Sequence, residues 1–260
     1  MECWHMSGAG NDFMVIDARG KHLDFTSLAK KLCAETGADG FMAVDYSETA
    51  DIRLHFYNSD GSRGEMCGNG CRCLCRFAYE NGLAGREMVI ETDAGPVPGW
   101  YLSENQYRIR LNTPSILELD RKPGVAYVEL GYPGSPHAIT EIPTLTWEQM
   151  DALRDRAVAL RHDPAFPKGA NVSFYSQLSP GKVRVLTFER GVEDYTLACG
   201  TGSGSVAAVL WAKGCLPESV LSVEVRGGVL KVTVAGTQGR VTSLLLEGPA
   251  DIVKKYDIEI

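Results

Sequence analysis

The sequence of 260 residues predicts an α+β protein made of two similar halves. A short motif, cysteine-glycine-polar-glycine, occurs at 67–70 and again at 199–202, so its two copies lie 132 residues apart. Other residues repeat at the same spacing: Phe56 and Phe188, Gly82 and Gly214, Gly95 and Gly227, Val97 and Val229. Such a cluster indicates an internal duplication. The predicted order of elements in each half, strands, then a helix, then strands, favours α+β halves over a parallel sheet.

Alternating apolar residues predict short strands throughout the first half. Thr26 is a suitable N-cap for a helix over Leu28–Glu35. A second helix is predicted to begin at the first motif and to end at Asn81-Gly82, a pair typical of helix C-termini. The predicted strands cover 2–7, 12–18, 41–46, 51–57, 89–92, 97–102 and 107–111.

The pattern breaks at Asn112-Thr113-Pro114, and we place the boundary between the halves there. Beyond it, 131–137 has the composition of a turn-rich loop. Thr146 and Gln149 form a capping box, which predicts a helix to about His162. The helix after the second motif is predicted to end at Lys213-Gly214. Strands are predicted over 125–130, 171–176, 183–189, 220–225, 229–234 and 241–247, with a candidate last strand in 251–260.

Composition narrows the class of protein. Hydrophobic residues make up 44% and charged residues 23%, as in an ordinary globular chain, and the net charge of −7 argues against a nucleic-acid partner. No apolar run approaches the roughly 18 residues that a membrane span needs. The first residues have neither a basic nor an apolar region of a signal peptide. We therefore expect a cytoplasmic protein whose eight cysteines are reduced.

The repeated motif places Cys67 and Cys199 each at the start of a predicted helix. Unpaired N–H groups and the helix dipole at this position favour a thiolate and bind anions. Two such units that face each other would place one sulfur on either side of a bound carboxylate. One thiolate can then remove an α-proton while the opposite thiol donates one, and the N–H groups stabilise the carbanion. The sequence thus predicts stereoinversion of a small amino acid without a cofactor.

Other readings of the cysteines stay open. Cys71, Cys73 and Cys75, together with Cys67, could form a metal or redox module without enzymatic activity. Against a metal, alternate residues on a helix point in nearly opposite directions, and no Cys-x2-Cys pair occurs. Walker A, dinucleotide-binding and zincin motifs are missing as well. We expect no metal, and core or surface positions for these three thiols.

The sequence also resembles the diaminopimelate epimerase family, over nearly its whole length. The resemblance rests on several short motifs: Gly8–Phe13, Gly37–Gly40, Asn58–Ser62, Met66–Gly70, Pro136–Ala138, Asn171, Glu189–Gly191 and Ala198–Gly202. It implies two pseudo-symmetric domains, each a curled, mostly antiparallel sheet around a central helix, with the active site in the cleft between them. The C-terminal tail would return to the first domain, so the domains would be 1–113 with 248–260, and 114–247. A homodimer is expected.

The resemblance also implies roles for individual residues. Cys67 and Cys199 would be the two bases, and His137 and Glu189 would support the reacting centre. Arg190 would bind the distal carboxylate of the substrate. The remaining substrate-binding residues would be Gly68, Asn69, Gly200 and Thr201 at the reacting carboxylate, and Asn11, Asn58 and Asn171 elsewhere, with Glu189 also in contact with the substrate.

One position departs from the family pattern. Ser135 stands where the family has an asparagine that contacts the substrate. A serine is shorter and offers one hydroxyl in place of an amide, so a related racemase of the same fold that acts on another amino acid is the nearest alternative. The proline racemase type carries a histidine after the first Cys-Gly, where this chain has Asn69. That difference favours the diaminopimelate substrate.

Overall fold

The computed structural model describes residues 1–237 and 239–259. The chain divides into two units. Unit 1 comprises Met1–Arg110 and the C-terminal segment that begins at Glu247, and unit 2 comprises Leu111–Leu246. The boundary predicted after Thr113 falls three residues beyond this division. The assignment of one catalytic half to each unit stays a prediction.

Four α-helices occur in the described residues, two in each unit. They are α1 (Phe25–Thr36), α2 (Gly68–Glu80), α3 (Met150–Arg161) and α4 (Gly200–Ala212). None of the helices in this part of the chain is long and apolar enough to cross a membrane.

Strands make up most of the remaining structure. In chain order they are β1 (Glu2–Ser7), β2 (Asp12–Asp17), β3 (Gly40–Asp45), β4 (Ile52–Asn58), β5 (Arg63–Gly64), β6 (Glu87–Thr92), β7 (Gly95–Ser103), β8 (Gln106–Leu111), β9 (Pro114–Lys122), β10 (Val125–Leu130), β11 (Ser135–Glu141), β12 (Asn171–Ser179), β13 (Lys182–Glu189), β14 (Asp194–Tyr195), β15 (Val220–Val225), β16 (Gly228–Thr237), β17 (Arg240–Pro249) and β18 (Asp251–Asp257).

The two units pair their strands in the same pattern. The unit 1 sheet runs β18, β1, β2, β3, β4, β6, β7, β8, with β5 beside β4. The unit 2 sheet runs β9, β10, β11, β12, β13, β15, β16, with β14 beside β13. Parallel pairs fall at matching places, β2 with β3 and β4 with β6, against β11 with β12 and β13 with β15. The other pairs in both orders are antiparallel, which confirms the predicted pseudo-symmetric α+β fold.

The matched pattern gives β18 a specific place. Register pairs Glu2 of β1 with Asp257 of β18, so the C-terminal strand occupies in unit 1 the position that β9 occupies in unit 2. Unit 2 builds its sheet from a continuous stretch of chain, whereas unit 1 takes its outermost strand from beyond unit 2.

The helix that follows each motif is the centre of its unit. α4 contacts β9 to β12 and also β16, which lie toward opposite ends of the unit 2 sheet, so the sheet curls around the helix. α2 contacts β1, β2 and β7 in the same way. α4 consists of apolar and small residues over almost its whole length and is buried from Gly202 to Leu210, as expected for a central helix. α2 is buried over most of its length as well, but it also carries charged residues, of which Arg72 is buried and Glu80 is exposed.

The structure corrects some local predictions. Thr26 does not cap α1, because the Asp24 side chain accepts the Ser27 N–H at 3.2 Å and the helix begins one residue before Thr26. Strand β9 was not predicted, because its apolar and polar residues do not alternate regularly along the strand. Strand β11 begins at Ser135, inside the expected loop. The capping box of Thr146 and Gln149 is confirmed, although its first turn is a 3₁₀ helix before α3.

Candidate active site

Cys67 is the N-cap residue of α2. Its backbone is extended, with φ −128° and ψ 122°, so the side chain lies beside the first turn of the helix. Gly68 and Asn69 follow as the first two helical residues, and both are buried. Their N–H groups belong to the first turn, whose donors lack partners within an α-helix. This end of α2 therefore combines a sulfur with a region of positive potential.

Asn11 connects this helix start to the β1–β2 loop. Its Oδ1 accepts the Cys67 thiol at 3.6 Å and the Asn69 Nδ2 at 3.4 Å. Its own Nδ2 donates to Asp39 Oδ2 at 2.7 Å, and the same carboxylate oxygen accepts the Asp12 N–H at 2.9 Å. Because Asp39 accepts from the amide nitrogen, it fixes which end of the Asn11 amide faces the cysteine.

Gly8 lies against this helix start and supplies a direct test of it. A Cβ at position 8 would lie 2.8 Å from the Asn69 carbonyl oxygen and 3.1 Å from its carbon. We expect Gly8→Ala to displace the first turn of α2, to lower the free energy of unfolding by about 1–3 kcal/mol and to reduce catalytic turnover. Chemical denaturation and a steady-state assay would measure these effects.

Gly85→Ala is a matched control, because the nearest atom to its added Cβ is the Glu87 carbonyl oxygen at 3.6 Å, an ordinary contact. Equal stability and activity in both alanine variants would contradict the close packing of Gly8 on Asn69.

Cys199 occupies the equivalent place at the start of α4. Its φ of −119° and ψ of 110° match those of Cys67 closely. The Sγ atom accepts the Gly202 N–H at 3.4 Å and lies 3.5 Å from Thr201 Oγ1. A sulfur that accepts a backbone N–H is held in the orientation of a helix cap, and such a bond favours the thiolate over the thiol.

Around His137, unit 2 brings four predicted site residues together. Asn171 Nδ2 donates to the Pro136 carbonyl at 3.1 Å and lies 3.5 Å from His137 Nε2. Ser135 Oγ lies at the same distance, 3.5 Å, from that nitrogen. Asn171 Oδ1 accepts the Arg190 N–H at 2.8 Å. These side chains lie close together because β11 pairs in parallel with β12, which sets His137 opposite Asn171.

Arg190 follows directly after β13, and its side chain is exposed. Its Nη1 donates to the Lys168 carbonyl at 2.9 Å, and among the described residues no carboxylate forms an ion pair with it. Glu189 accepts the Thr196 hydroxyl at 2.6 Å. The guanidinium of Arg190 has further N–H groups besides the one bonded to the Lys168 carbonyl.

His137 is completely buried, and burial, with the positive charge of Arg190, lowers its pKa from 6.5 to about 3. We expect the imidazole to stay neutral from pH 5 to 8, so its ring NMR signals should not shift over that range. The unfolded chain binds a proton at His137 near pH 6.5, and the folded protein does not. The free energy of unfolding should therefore decrease as the pH falls from 6.5 towards 3.

A His137 resonance that titrates near pH 6.5 in the folded protein would contradict this assignment.

The cysteines that follow Cys67 are not part of this site. Cys71, Cys73 and Cys75 are completely buried in α2, and burial raises the pKa of all three, that of Cys75 to about 12. They are therefore neutral core thiols, which are poor ligands and poor nucleophiles. Within 1–237 and 239–259, no group of three acidic, histidine or cysteine side chains is placed to hold a metal ion.

Asn58 pairs with Gly40 in the register of β3 and β4, next to Asp39, the partner of Asn11. It ends β4, and its Nδ2 donates to Ser62 Oγ at 2.9 Å rather than to Asn11 or Cys67. The sequence did not predict that Asp39 orients Asn11, although the turn Gly37–Gly40 that contains Asp39 is one of the motifs shared with the family. A single acidic residue in a turn bounded by glycines was the only feature of the sequence that pointed to Asp39. Its contact with Asn11 is seen only in the fold.

Comparison with known proteins adds the decisive observation. A family model described as diaminopimelate epimerase matches residues 3–113 and 130–253. The diaminopimelate epimerase of Chlorobaculum tepidum is 35% identical over 98% of this chain and all of its own length. That of Methanothrix thermoacetophila is 35% identical over 96% of this chain and 93% of its own.

The chain belongs to the diaminopimelate epimerase family. This confirms the predicted enzyme class, an amino-acid epimerase independent of pyridoxal phosphate. Solved structures of lower identity share the fold. A phenazine biosynthesis protein of the PhzF family from Bacillus anthracis has a TM-score of 0.78 at 17% identity, covering 100% of this chain and 99% of its own. A hydroxyproline epimerase from Agrobacterium vitis has a TM-score of 0.73 at 17% identity, covering 99% and 90%.

Proposed function

We propose that this diaminopimelate epimerase family member converts LL-2,6-diaminopimelate to meso-diaminopimelate, an intermediate of lysine and peptidoglycan synthesis. The observation that carries the proposal is the repeated geometry of Cys67 and Cys199, each an extended N-cap at the start of a buried central helix. Family membership supports the choice of substrate.

The proposed reaction uses one sulfur on each face of the α-carbon. One thiolate accepts the α-proton, so the C–H bond breaks and an S–H bond forms, and the electron pair moves into the adjacent carboxylate. The opposite thiol then donates its proton to the other face, which restores a C–H bond with inverted configuration and leaves a thiolate. Protons and electrons balance without any redox partner.

The reacting carboxylate needs donors on both sides. In the proposal they are the N–H groups of Gly68 and Asn69 in α2 and of Gly200 and Thr201 in α4, the first residues of the two helices. Donors oriented before the reaction stabilise the carbanion without reorganisation. Helix N-termini supply them from the backbone, so the sequence needs no additional charged side chain near the reacting centre.

Recognition of the rest of the substrate is assigned to polar side chains. Arg190 would bind the distal carboxylate through its available N–H groups, because a guanidinium binds a carboxylate in a forked geometry. Asn11, Asn58 and Asn171 would bind the other polar groups, with Glu189 beside the reacting centre. A substrate charged at both ends fits this set better than a proline-like one.

Ser135 supports a second candidate, a racemase of another amino acid on the same fold. It lies 3.5 Å from His137 Nε2, where a longer asparagine would extend further from the strand. The space gained would suit a water molecule or a different substrate group. A comparison of several amino acids as substrates distinguishes these two possibilities.

Proton NMR in heavy water with purified protein tests the proposal. The panel would contain LL- and meso-diaminopimelate, histidine, lysine, glutamate and proline. Loss of the α-proton signal only in diaminopimelate, at one of its two centres in the meso form, is the expected result. Exchange in another amino acid would keep the mechanism and change the substrate, and no exchange with reduced thiols would contradict both.

A cytoplasmic location and a homodimer stay predictions from the sequence. Light scattering coupled to size-exclusion chromatography would measure the second directly.

A further inference from the structure

Glu193 has a backbone conformation that is rare for any residue other than glycine. Its φ is 57°, in the left-handed region. The repeat spacing of 132 residues sets it opposite Gly61 of unit 1, whose φ is 81°. Each of the two residues lies in the turn that leads to a two-residue strand, β5 in unit 1 and β14 in unit 2. Unit 1 thus has a glycine where this turn favours one and unit 2 has a glutamate, which points to a function for the glutamate side chain.

Glu193 closes the turn that contains Arg190. Its N–H donates to the Glu189 carbonyl at 2.8 Å, and its Oε1 accepts the Gly191 N–H at 2.9 Å. These two bonds hold the residues on either side of Arg190 in the sequence. The Arg190 N–H itself donates to Asn171 Oδ1 at 2.8 Å. Hydrogen bonds therefore fix the backbone at three successive residues, with Arg190 in the middle.

Arg161, the last residue of α3, holds the Glu193 carboxylate. Its Nε and Nη2 donate to Glu193 Oε1 at 3.0 Å and 2.8 Å. The same side chain lies against Gly169, where an added Cβ would overlap the guanidinium and would lie 3.2 Å from the Arg161 carbonyl oxygen. Lys168, the residue before Gly169, accepts Arg190 Nη1 through its carbonyl at 2.9 Å. Arg161 therefore contacts both segments that hold Arg190, one at its backbone and one at its guanidinium.

We propose that Glu193 is a positioning residue that, held by Arg161, orients Arg190 for the distal carboxylate of the substrate. The inference rests on the proposed function, in which Arg190 binds that carboxylate. An arginine side chain loses much rotamer freedom when it binds a ligand. Fixing the Arg190 backbone and one guanidinium N–H beforehand reduces this cost. The remaining N–H groups then meet a carboxylate in a forked geometry, which favours substrates with a second carboxylate.

Glu193→Gly tests the proposal without straining the turn, because glycine adopts a positive φ freely. The substitution removes the carboxylate contacts to the Gly191 N–H and to Arg161. We expect KM for LL-diaminopimelate to rise by about 10-fold while kcat stays within about two-fold of wild type. Glu193→Gln keeps an oxygen for the Gly191 N–H and loses the charge that faces Arg161, so its KM should rise by about three-fold. Steady-state kinetics would measure both constants.

A double-mutant cycle shows whether Glu193 acts through Arg190. If it does, Glu193→Gly introduced into the Arg190→Met protein should change kcat/KM by less than about two-fold, because the guanidinium that it orients is already gone. A loss of kcat/KM in the double variant equal to the product of the two single losses would overturn the positioning role.

Asp194→Asn is the matched control for Glu193→Gln. Asp194 is the next residue of the chain and pairs with Arg154, another arginine of α3. Its carboxylate accepts the Tyr195 N–H at 2.7 Å, on the side of the turn away from Arg190. Asp194→Asn should therefore leave KM within about two-fold of wild type. An equal rise of KM in the two amide variants would overturn a specific role of Glu193.

Limited digestion with trypsin reports on the turn without any substrate. Cleavage of the Arg190–Gly191 bond, identified by mass spectrometry, requires the turn to open locally. We expect faster cleavage there in Glu193→Gly and in Glu193→Gln, and a wild-type rate in Asp194→Asn. Unchanged cleavage in the Glu193 variants would overturn the proposal.

The two measurements together separate the possible outcomes. Faster cleavage with an unchanged KM would show that Glu193 only stabilises the turn, and would overturn its role in binding. Faster cleavage with a raised KM and an unchanged kcat would support the proposal. A failure of the proposed function is distinct from these results, because it appears in the wild-type protein as the absence of α-proton exchange in diaminopimelate. If Glu193→Gly does not fold, Glu193→Gln and its control decide the question by the same two measurements.

Discussion

Cys67→Ala and Cys199→Ala are each expected to abolish inversion of diaminopimelate, with a loss of turnover of at least about 10²–10⁴-fold, the usual contribution of one acid–base group. Each cysteine caps a different helix, so neither can replace the other on its face of the α-carbon. Polarimetry or a coupled assay would measure the loss, and circular dichroism would show that the variants are folded.

Exchange of the α-proton for deuterium tests the same prediction more stringently. A variant that retains a single base can remove a proton from one face only, so it should exchange at most one of the two stereoisomers and invert neither. Cys215→Ala is a suitable control because that thiol is exposed and lies beyond the end of α4. Inversion retained in either alanine variant would refute the two-base mechanism.

Arg190→Met is expected to reduce kcat/KM for diaminopimelate by about 10²–10³-fold, since removing one partner of a hydrogen-bonded charge pair costs about 2–5 kcal/mol. The loss should appear mainly in KM, because the distal carboxylate takes no part in proton transfer. Steady-state kinetics over a range of substrate concentrations would separate the two constants.

Arg154→Met provides the comparison for Arg190. Arg154 is a half-exposed arginine of the same unit that pairs with Asp194, and its loss should change kcat/KM little. Equal effects of the two substitutions would indicate a general electrostatic contribution and would remove the argument for a specific carboxylate contact at Arg190.

Much of the central architecture was predictable because it depends on local signals. The duplicated motif predicted both central helices, and the glycines after them marked where each ends. Helix α2 stops at Glu80 and α4 at Ala212, each directly before its predicted terminal pair. Strand Val220–Val225 matches its prediction at both ends, because its alternating apolar residues face a buried core.

Features that depend on the whole fold were not predictable in this way. Strand β11 takes its pairing from β10 and β12, which overrides the loop composition of Ser135-Pro136-His137. The orienting contact from Asp39 to Asn11 joins residues 28 positions apart and has no sequence pattern. The same holds for Arg72, which in the sequence is only a charged residue among cysteines, and whose burial becomes visible once strands surround α2.

The place of β18 has a consequence for how the protein is synthesised. The ribosome makes the whole of unit 2 after β1 and before β18, so β1 lacks its outer partner strand while unit 2 is being synthesised. During that interval β1 presents an unpaired edge, the kind of edge on which nascent chains associate. The sheet of unit 1 therefore closes only after unit 2 has been made, and removal of β18 would leave the outer edge of β1 without its partner strand.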